Sequence, residues 1–342
     1  MPTCCLGPRL KPPRVKRVVA AVCLVLGALA IRRRLAMREP LAAVAADLRS
    51  PLLPFIPSVS TAWSLPLSRV QSRVRTPSGR GVTVTKRYVG GPAVRVLVTT
   101  PSDGRSSRPG VLWIHGGGYI VGSPQMEAFG TARLARDLGV VTVSPDYRLA
   151  PEHPFPAALD DCMATLRWMR ANAHQLGIDA DRIAVMGASA GGGLSAAVAQ
   201  RSLDEDIGLR AQVLVYPMLD DRTVLREDHA GRGRFLWTPV SNRFGWTAYL
   251  GRAPRMSDAP EYAAPARRTD LRGLPPAWVG VGDLDLFYDE DVDYADKLRA
   301  CGVPCTLVTV AGIYHGADAF APKALSLKDF NPGMRDHLRT YL

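Results

Sequence analysis

Ile183-Ala184-Val185-Met186-Gly187-Ala188-Ser189-Ala190-Gly191 decides the fold of this chain. The first four residues are a short apolar, β-rich run, and from Ala190 to Leu203 the pattern is helical, so the glycine-flanked serine falls on a strand-to-helix turn. A serine at such an elbow is carried to the carboxyl end of a sheet with its hydroxyl exposed. Side chains at the flanking glycines would collide in so tight a turn. The context makes Ser189 a candidate nucleophile, whereas the bare pattern is also met in glycine-rich turns.

Working outward, short β-branched runs alternate with longer helical ones. Strands are expected at Val82–Val89, Val94–Thr99, Val111–His115, Val140–Ser144, Ile183–Met186, Gln212–Tyr216, Ala277–Val281 and Thr306–Val310. Helices are expected near Glu127–Leu138, Ala157–Leu176, Ala190–Leu203 and Glu290–Cys301. This is the signature of an α/β protein with a mainly parallel central sheet covered by helices on both faces. One connection breaks the rhythm. About sixty residues separate Tyr216 from Ala277 and carry Phe235, Leu236, Trp237, Phe244, Trp246, Tyr249 and Leu250, enough apolar surface for a helical insertion that covers something. That insertion reads equally as a packed subdomain and as a lid over a pocket.

His115-Gly116-Gly117-Gly118 closes the strand that begins at Val111. Consecutive glycines let amide N–H groups converge on one point, which acyl transfer needs where negative charge develops on a carbonyl oxygen. Gly117, Gly118 and Ala190 are the candidate oxyanion donors, with His115 and Gly116 completing the motif. Together, elbow and box indicate the α/β-hydrolase fold, in which the triad runs Ser, acid, His along the chain. His315, in a turn after the last strand, fits that order better than His337, which sits in a charged terminal helix pattern. His153 and His115 are read as structural. For the acid, Asp283, Asp285 and Asp289 all follow the strand ending at Val281, and spacing alone does not separate them.

These residues resemble the hormone-sensitive-lipase family of esterases, marked by a His-Gly-Gly-Gly box upstream of a Gly-x-Ser-Ala-Gly elbow. Asp146-Tyr147-Arg148-Leu149-Ala150-Pro151-Glu152-His153-Pro154-Phe155-Pro156 and the following Ala157-Ala158-Leu159-Asp160-Asp161 are similar to the family's connecting segment, and the likeness runs from about Val94 to Gly316. The family's acid opens a segment that aligns with Asp285-Leu286-Phe287-Tyr288-Asp289-Glu290, which implies Asp285 as the acid, Asp283 as the reserve and Asp289 near a helix start. Ala188 and Leu286 depart from the family's usual Asp and Pro. The resemblance also implies a cap built from residues 36–80 and an insertion at about 221–262, over a hydrolase domain spanning 81–342. Tyr119, next to the box, and Trp246, in the insertion, are expected at the substrate.

The expected activity is hydrolysis of short- to medium-chain acyl esters through a Ser189–His315–Asp285 triad and an acyl-enzyme, with no metal and no organic cofactor. An amide or drug deacetylase using the same residues is the alternative inside enzymes. A small-ligand receptor on the scaffold is the alternative outside them, disfavoured because all three triad members are present. The net charge is +12, but residues 1–40 hold +8 of it, so the catalytic region is close to neutral and no nucleic-acid partner is expected. The six cysteines do not provide the two ligand pairs that a zinc site requires, and free thiols are expected. Val18–Ile31 is an uncharged run of 14 residues between arginine clusters. As a helix it reaches roughly 21 Å, short of a hydrocarbon core of roughly 30 Å. Residues 1–35 are therefore read as a basic, apolar leader that contacts a membrane surface or frays in the cytoplasm. Secretion is less favoured, because three arginines stand where a cleavage site belongs.

Overall fold

The computed structural model describes residues 13–74, 79–91 and 93–342. Eight strands form one sheet: β1 (Val82–Val89), β2 (Val94–Pro101), β3 (Arg108–Ile114), β4 (Val141–Pro145), β5 (Ile178–Ala188), β6 (Ala211–Val215), β7 (Ala277–Gly282) and β8 (Cys305–Val310), in the spatial order β1-β2-β4-β3-β5-β6-β7-β8. β2 pairs antiparallel with both β1 and β4, and every pairing from β4 to β8 is parallel. The eight strands expected from sequence are all present. β5 is longer than its apolar run, starting at Ile178 and reaching Ala188, directly before the serine.

Alternate residues of the central strands feed two cores, as a sheet buried on both sides requires. Leu112, Ile114, Ile183, Val185 and Val279 pack with the helices Ala157–Ala171, Ala190–Asp204 and Tyr288–Ala300. Val111, Trp113, Ala184, Met186, Trp278 and Val281 pack on the other face with the helices Ala128–Leu138 and Phe330–Tyr341. The helical run expected over Ala157–Leu176 is broken at Asn172. Its side-chain amide donates to the Trp168 carbonyl at 2.9 Å, competing with the helical ladder, and a short helix Ala173–Leu176 follows.

Two segments lie over the carboxyl ends of the strands. One is 37–74, with a short helix Arg38–Ala43 and a helix Leu65–Ser72. The other is the insertion between β6 and β7, with a helix Pro239–Leu250 that starts on a Thr238 cap, its hydroxyl accepting from the Ser241 amide at 3.2 Å. A 24-residue helix, Pro13–Ala36, precedes them. Among the described residues no helix is long and apolar enough to cross a membrane. The part of the expected leader in residues 1–12, with Cys4 and Cys5, lies outside the described residues. Cys23, Cys162, Cys301 and Cys305 are free thiols.

Candidate active site

The serine elbow is built from strained backbone flanked by glycines that leave no room for a side chain. Ser189 sits at φ 57°, ψ −124°, a left-handed conformation costly for a residue with a Cβ. It is held there by its own amide, which donates to the Val215 carbonyl at 2.9 Å, and by its carbonyl, which accepts from Met218 at 3.0 Å. A Cβ on Gly187 would lie 2.3 Å from the Gly191 carbonyl oxygen, and one on Gly191 would lie 2.1 Å from that of Ile114. The turn therefore presses directly against the end of β3.

Asp285 follows β7 and His315 follows β8, so the three side chains come from the ends of β5, β7 and β8. His315 Nε2 is 2.9 Å from Ser189 Oγ, and His315 Nδ1 is 2.8 Å from Asp285 Oδ2. All three residues are buried, and Asp285 Oδ1 accepts from the Phe287 amide at 3.0 Å. The neighbouring carboxylates do other things. Asp283 Oδ1 accepts from the Gly312 amide at 2.7 Å, tying the acid loop to the histidine loop. Asp289 pairs with Arg226 at 2.8 Å and Arg232 at 2.7 Å, fastening the insertion to the fold. His337 lies against the Pro276 carbonyl and His153 is exposed, each apart from the site.

The glycine box makes a cradle beside the serine. Gly117 and Gly118 have φ of 118° and 59°, and among the described residues neither of their amides donates to a protein acceptor. The Ala190 amide opens the helix Ala190–Asp204, where the first turn has no acceptors of its own and the dipole favours an anion. His115 works behind the box. It is buried, its Nδ1 is 2.8 Å from the Gly116 carbonyl, and its ring stacks on Tyr147 at 4.1 Å, while the Tyr147 hydroxyl donates to the His115 carbonyl at 3.0 Å. Burial pushes the His115 imidazole down to about 4.

Tyr119 and Trp246, expected at the substrate, lie packed against each other in the core. Both are fully buried; Tyr119, at a φ of 66°, stacks on Tyr249 at 3.8 Å and meets Trp246 at 5.4 Å. The Tyr119 hydroxyl donates to the Met218 carbonyl at 3.0 Å, bracing the strand end that also holds Ser189. The aromatic rings grouped around the histidine are instead Tyr216, Phe287 and Trp237, with centroids 4.7, 5.2 and 6.4 Å from it. Trp237 also covers the box: a Cβ on Gly118 would lie 2.0 Å from its ring. Gly122, at φ 105°, closes the same loop, since a Cβ there would lie 2.3 Å from the Gly116 carbonyl oxygen. In the sequence Trp237 stands out only as apolar surface of the insertion, and Tyr216 and Gly122 belong to no motif. Tyr216 donates its hydroxyl to Asp318 at 2.8 Å, and burial raises the Asp318 carboxyl above its ordinary range.

Among the described residues no three His, Cys, Asp or Glu side chains are grouped to hold a metal ion. A family described as having the alpha/beta hydrolase fold matches residues 111–319. Carboxylesterase NlhH of Mycobacterium tuberculosis is 37% identical over 250 residues, covering 69% of this chain and 75% of its own length. Arylacetamide deacetylase of Oryctolagus cuniculus is 31% identical over 320 residues, covering 75% of this chain and 78% of its own. Among solved structures, a bacterial heroin esterase superposes with a TM-score of 0.81 at 32% identity, covering 89% of this chain and 99% of that one.

Proposed function

The chain belongs to the alpha/beta hydrolase fold family, in its hormone-sensitive-lipase-like branch, and is a carboxylesterase-type serine hydrolase; from that premise we propose that Ser189, His315 and Asp285 are its catalytic triad and that it cleaves short- to medium-chain acyl esters. The observation that carries this reading is the continuous hydrogen-bond chain, 2.9 Å from Ser189 Oγ to His315 Nε2 and 2.8 Å from His315 Nδ1 to Asp285 Oδ2.

In the proposed reaction Ser189 Oγ attacks the ester carbonyl carbon while its proton passes to His315 Nε2. Asp285 keeps Nδ1 protonated and stabilises the imidazolium. The charge that develops on the carbonyl oxygen is met by the amides of Gly117, Gly118 and Ala190, each typically contributing about 3 kcal/mol of transition-state stabilisation. His315 then returns the proton to the departing alkoxide, and the alcohol leaves an acyl-Ser189. Water, deprotonated by the same histidine, attacks that acyl group and restores the serine. The rings of Tyr216, Phe287 and Trp237 around His315 support a small acyl pocket.

A second reading, amide cleavage by the same residues, draws on the similarity to an arylacetamide deacetylase. One experiment addresses both. p-Nitrophenyl esters from acetate to palmitate and 4-nitroacetanilide are offered to the protein and to Ser189→Ala. Turnover of the short esters that disappears in the variant is expected. A folded parent inert on every ester, or an equally active variant, refutes the proposal, and anilide turnover exceeding ester turnover moves the assignment to amides.

A further inference from the structure

We propose that the mouth of the active site is a docking face for an anionic phospholipid surface, which the helix Pro13–Ala36 and an apolar rim outside that helix engage together. This rests on the placement of the site proposed above, whereas its test does not depend on turnover.

The exposed apolar side chains are unevenly distributed. Single exposed hydrophobics are ordinary on any protein, but a cluster marks an interaction surface. Here nearly all the large ones among the described residues lie in the helix Pro13–Ala36, in the segment 52–74, or immediately after the two catalytic loops; only Tyr88, Val240 and Met256 lie elsewhere. Trp63 is 84% exposed and Leu67 and Val70 are each 67% exposed, although they belong to a segment firmly attached to the fold.

The attachments place that segment over the site. At one end the Ala45 amide donates to the Gly312 carbonyl at 2.9 Å, Asp47 accepts from the Ser326 amide at 2.8 Å, and Val44 and Leu48 are buried with Ile313 and Tyr314, so the chain starts beside the histidine loop. At the other end Arg69 donates to the carbonyls of Ile120 at 2.9 Å and Ala150 at 2.8 Å, so the helix Leu65–Ser72 ends on the oxyanion loop. Trp63 precedes that helix and Leu67 and Val70 belong to it, all three exposed. Met126 and Phe129 are exposed just after that loop, and Phe320 and Leu325 just after His315. These exposed side chains thus lie on the chain segments attached to, or directly following, the oxyanion box and the His315 loop.

The preceding helix leaves from the same end. Arg33 Nε donates to the Pro54 carbonyl at 2.6 Å, and the helix continues directly into the segment that reaches Gly312. Val18, Val22, Leu24, Val25, Leu29 and Ile31 are all exposed, apolar on every side of the helix. Such a helix finds its partner in a medium without water. Its uncharged stretch is roughly 21 Å long, so it enters one leaflet rather than crossing. Its flanks select the lipid: Arg32, Arg33, Arg34 and Arg38 follow it, within a forty-residue stretch of net charge +8, and cations at this spacing favour anionic headgroups. Seated this way, the mouth opens onto the bilayer, and an amphiphilic ester passes to Ser189 without crossing water.

The test is flotation of the full chain with vesicles of phosphatidylcholine alone or mixed with phosphatidylglycerol. The parent and Ser189→Ala should float equally, at least about tenfold better with the anionic vesicles. The triple variant Trp63→Ser, Leu67→Ser, Val70→Ser should keep its rate on soluble p-nitrophenyl acetate while its vesicle partition falls by about tenfold or more. A second variant on the opposite rim, Met126→Ser with Phe129→Ser, should lose partition likewise. Failure of the parent to float, equal floating with both vesicles, or rim variants that float like the parent overturns the proposal. So does gel filtration showing a dimer that the rim substitutions dissociate, because a second copy then covers the face. A parent that floats yet hydrolyses no ester, or a Ser189→Ala protein that floats and keeps the parent's turnover, refutes the triad reading alone.

Discussion

Replacing Asp285 by Asn changes one atom's chemistry while keeping shape, and the surroundings dictate which way the new amide faces. Oδ1 accepts from the buried Phe287 amide at 3.0 Å and Oδ2 receives His315 Nδ1 at 2.8 Å. If the asparagine oxygen stays toward Phe287, its NH2 points at His315 Nδ1 as a donor. The flipped orientation sets two donors against each other and leaves the Phe287 N–H unpaired, at a cost of about 1–3 kcal/mol. The first orientation therefore dominates, and it forces the imidazole into the tautomer protonated on Nε2, which cannot take the serine proton. Loss of the base in this manner lowers kcat by about 10⁴-fold, equivalent to about 5 kcal/mol in the barrier. The assay is kcat and KM on p-nitrophenyl butyrate from pH 6 to 9, with thermal unfolding as the check on the fold. Asp283→Asn is the companion, since its oxygen can go on accepting from the Gly312 amide. It should stay within about tenfold of the parent, as expected of a residue that acts through loop position alone. An Asp285→Asn enzyme within tenfold of the parent, or an Asp283→Asn enzyme equally impaired, would refute the assignment of the acid.

Gly118→Ala drives a Cβ to 2.0 Å from the Trp237 ring at a φ of 59°, so the oxyanion loop must shift; kcat should drop by about a hundredfold or more, with adding Trp237→Leu recovering part of it, and no recovery would show that the contact is not the cause. His115 is held neutral by burial with its pKa near 4, below the ordinary 6.5, so the unfolded chain binds the extra proton between those values and stability present above pH 6.5 is lost on the way down to 4. The loss amounts to about 3 kcal/mol, and urea unfolding at pH 7 and 4.5 should show a steeper fall in the parent than in His115→Asn; identical slopes would refute it.

Much of the fold was legible because each strand is a short β-branched run bounded by turn residues, and because the elbow and the box sit where strands end. What sequence spacing left open depends on partners it does not encode. The carboxylates Asp283, Asp285 and Asp289 stand within one turn-rich stretch, and only the folded chain gives them, respectively, a backbone amide, a histidine and two arginines. Tyr119 and Trp246 looked like pocket residues by position. Tyr119 is buried on Tyr249 and Trp246, partners distant in sequence that nothing in a linear string reports. Trp237 takes the place over the box from within an insertion whose path is set by long-range attachments, such as Arg232 donating to the Asp283 carbonyl at 3.0 Å and Gly233 donating to the Leu284 carbonyl at 3.1 Å.

The elbow and the oxyanion box meet because β3 and β5 are neighbours in the sheet while β4 lies between them in the chain. This gives the enzyme a clock. Gly191 lies against the Ile114 carbonyl of β3 and the left-handed Ser189 is held from the Val215 carbonyl and the Met218 amide at the end of β6, so the strained turn becomes favourable only once pairings distant in sequence have closed. During refolding, helical signal from segments such as Ala157–Ala171 should therefore return first. Recovery of hydrolysis should trail it and keep time with protection of the β3–β5 amides, so that substrate turnover reads out the completion of the sheet's centre.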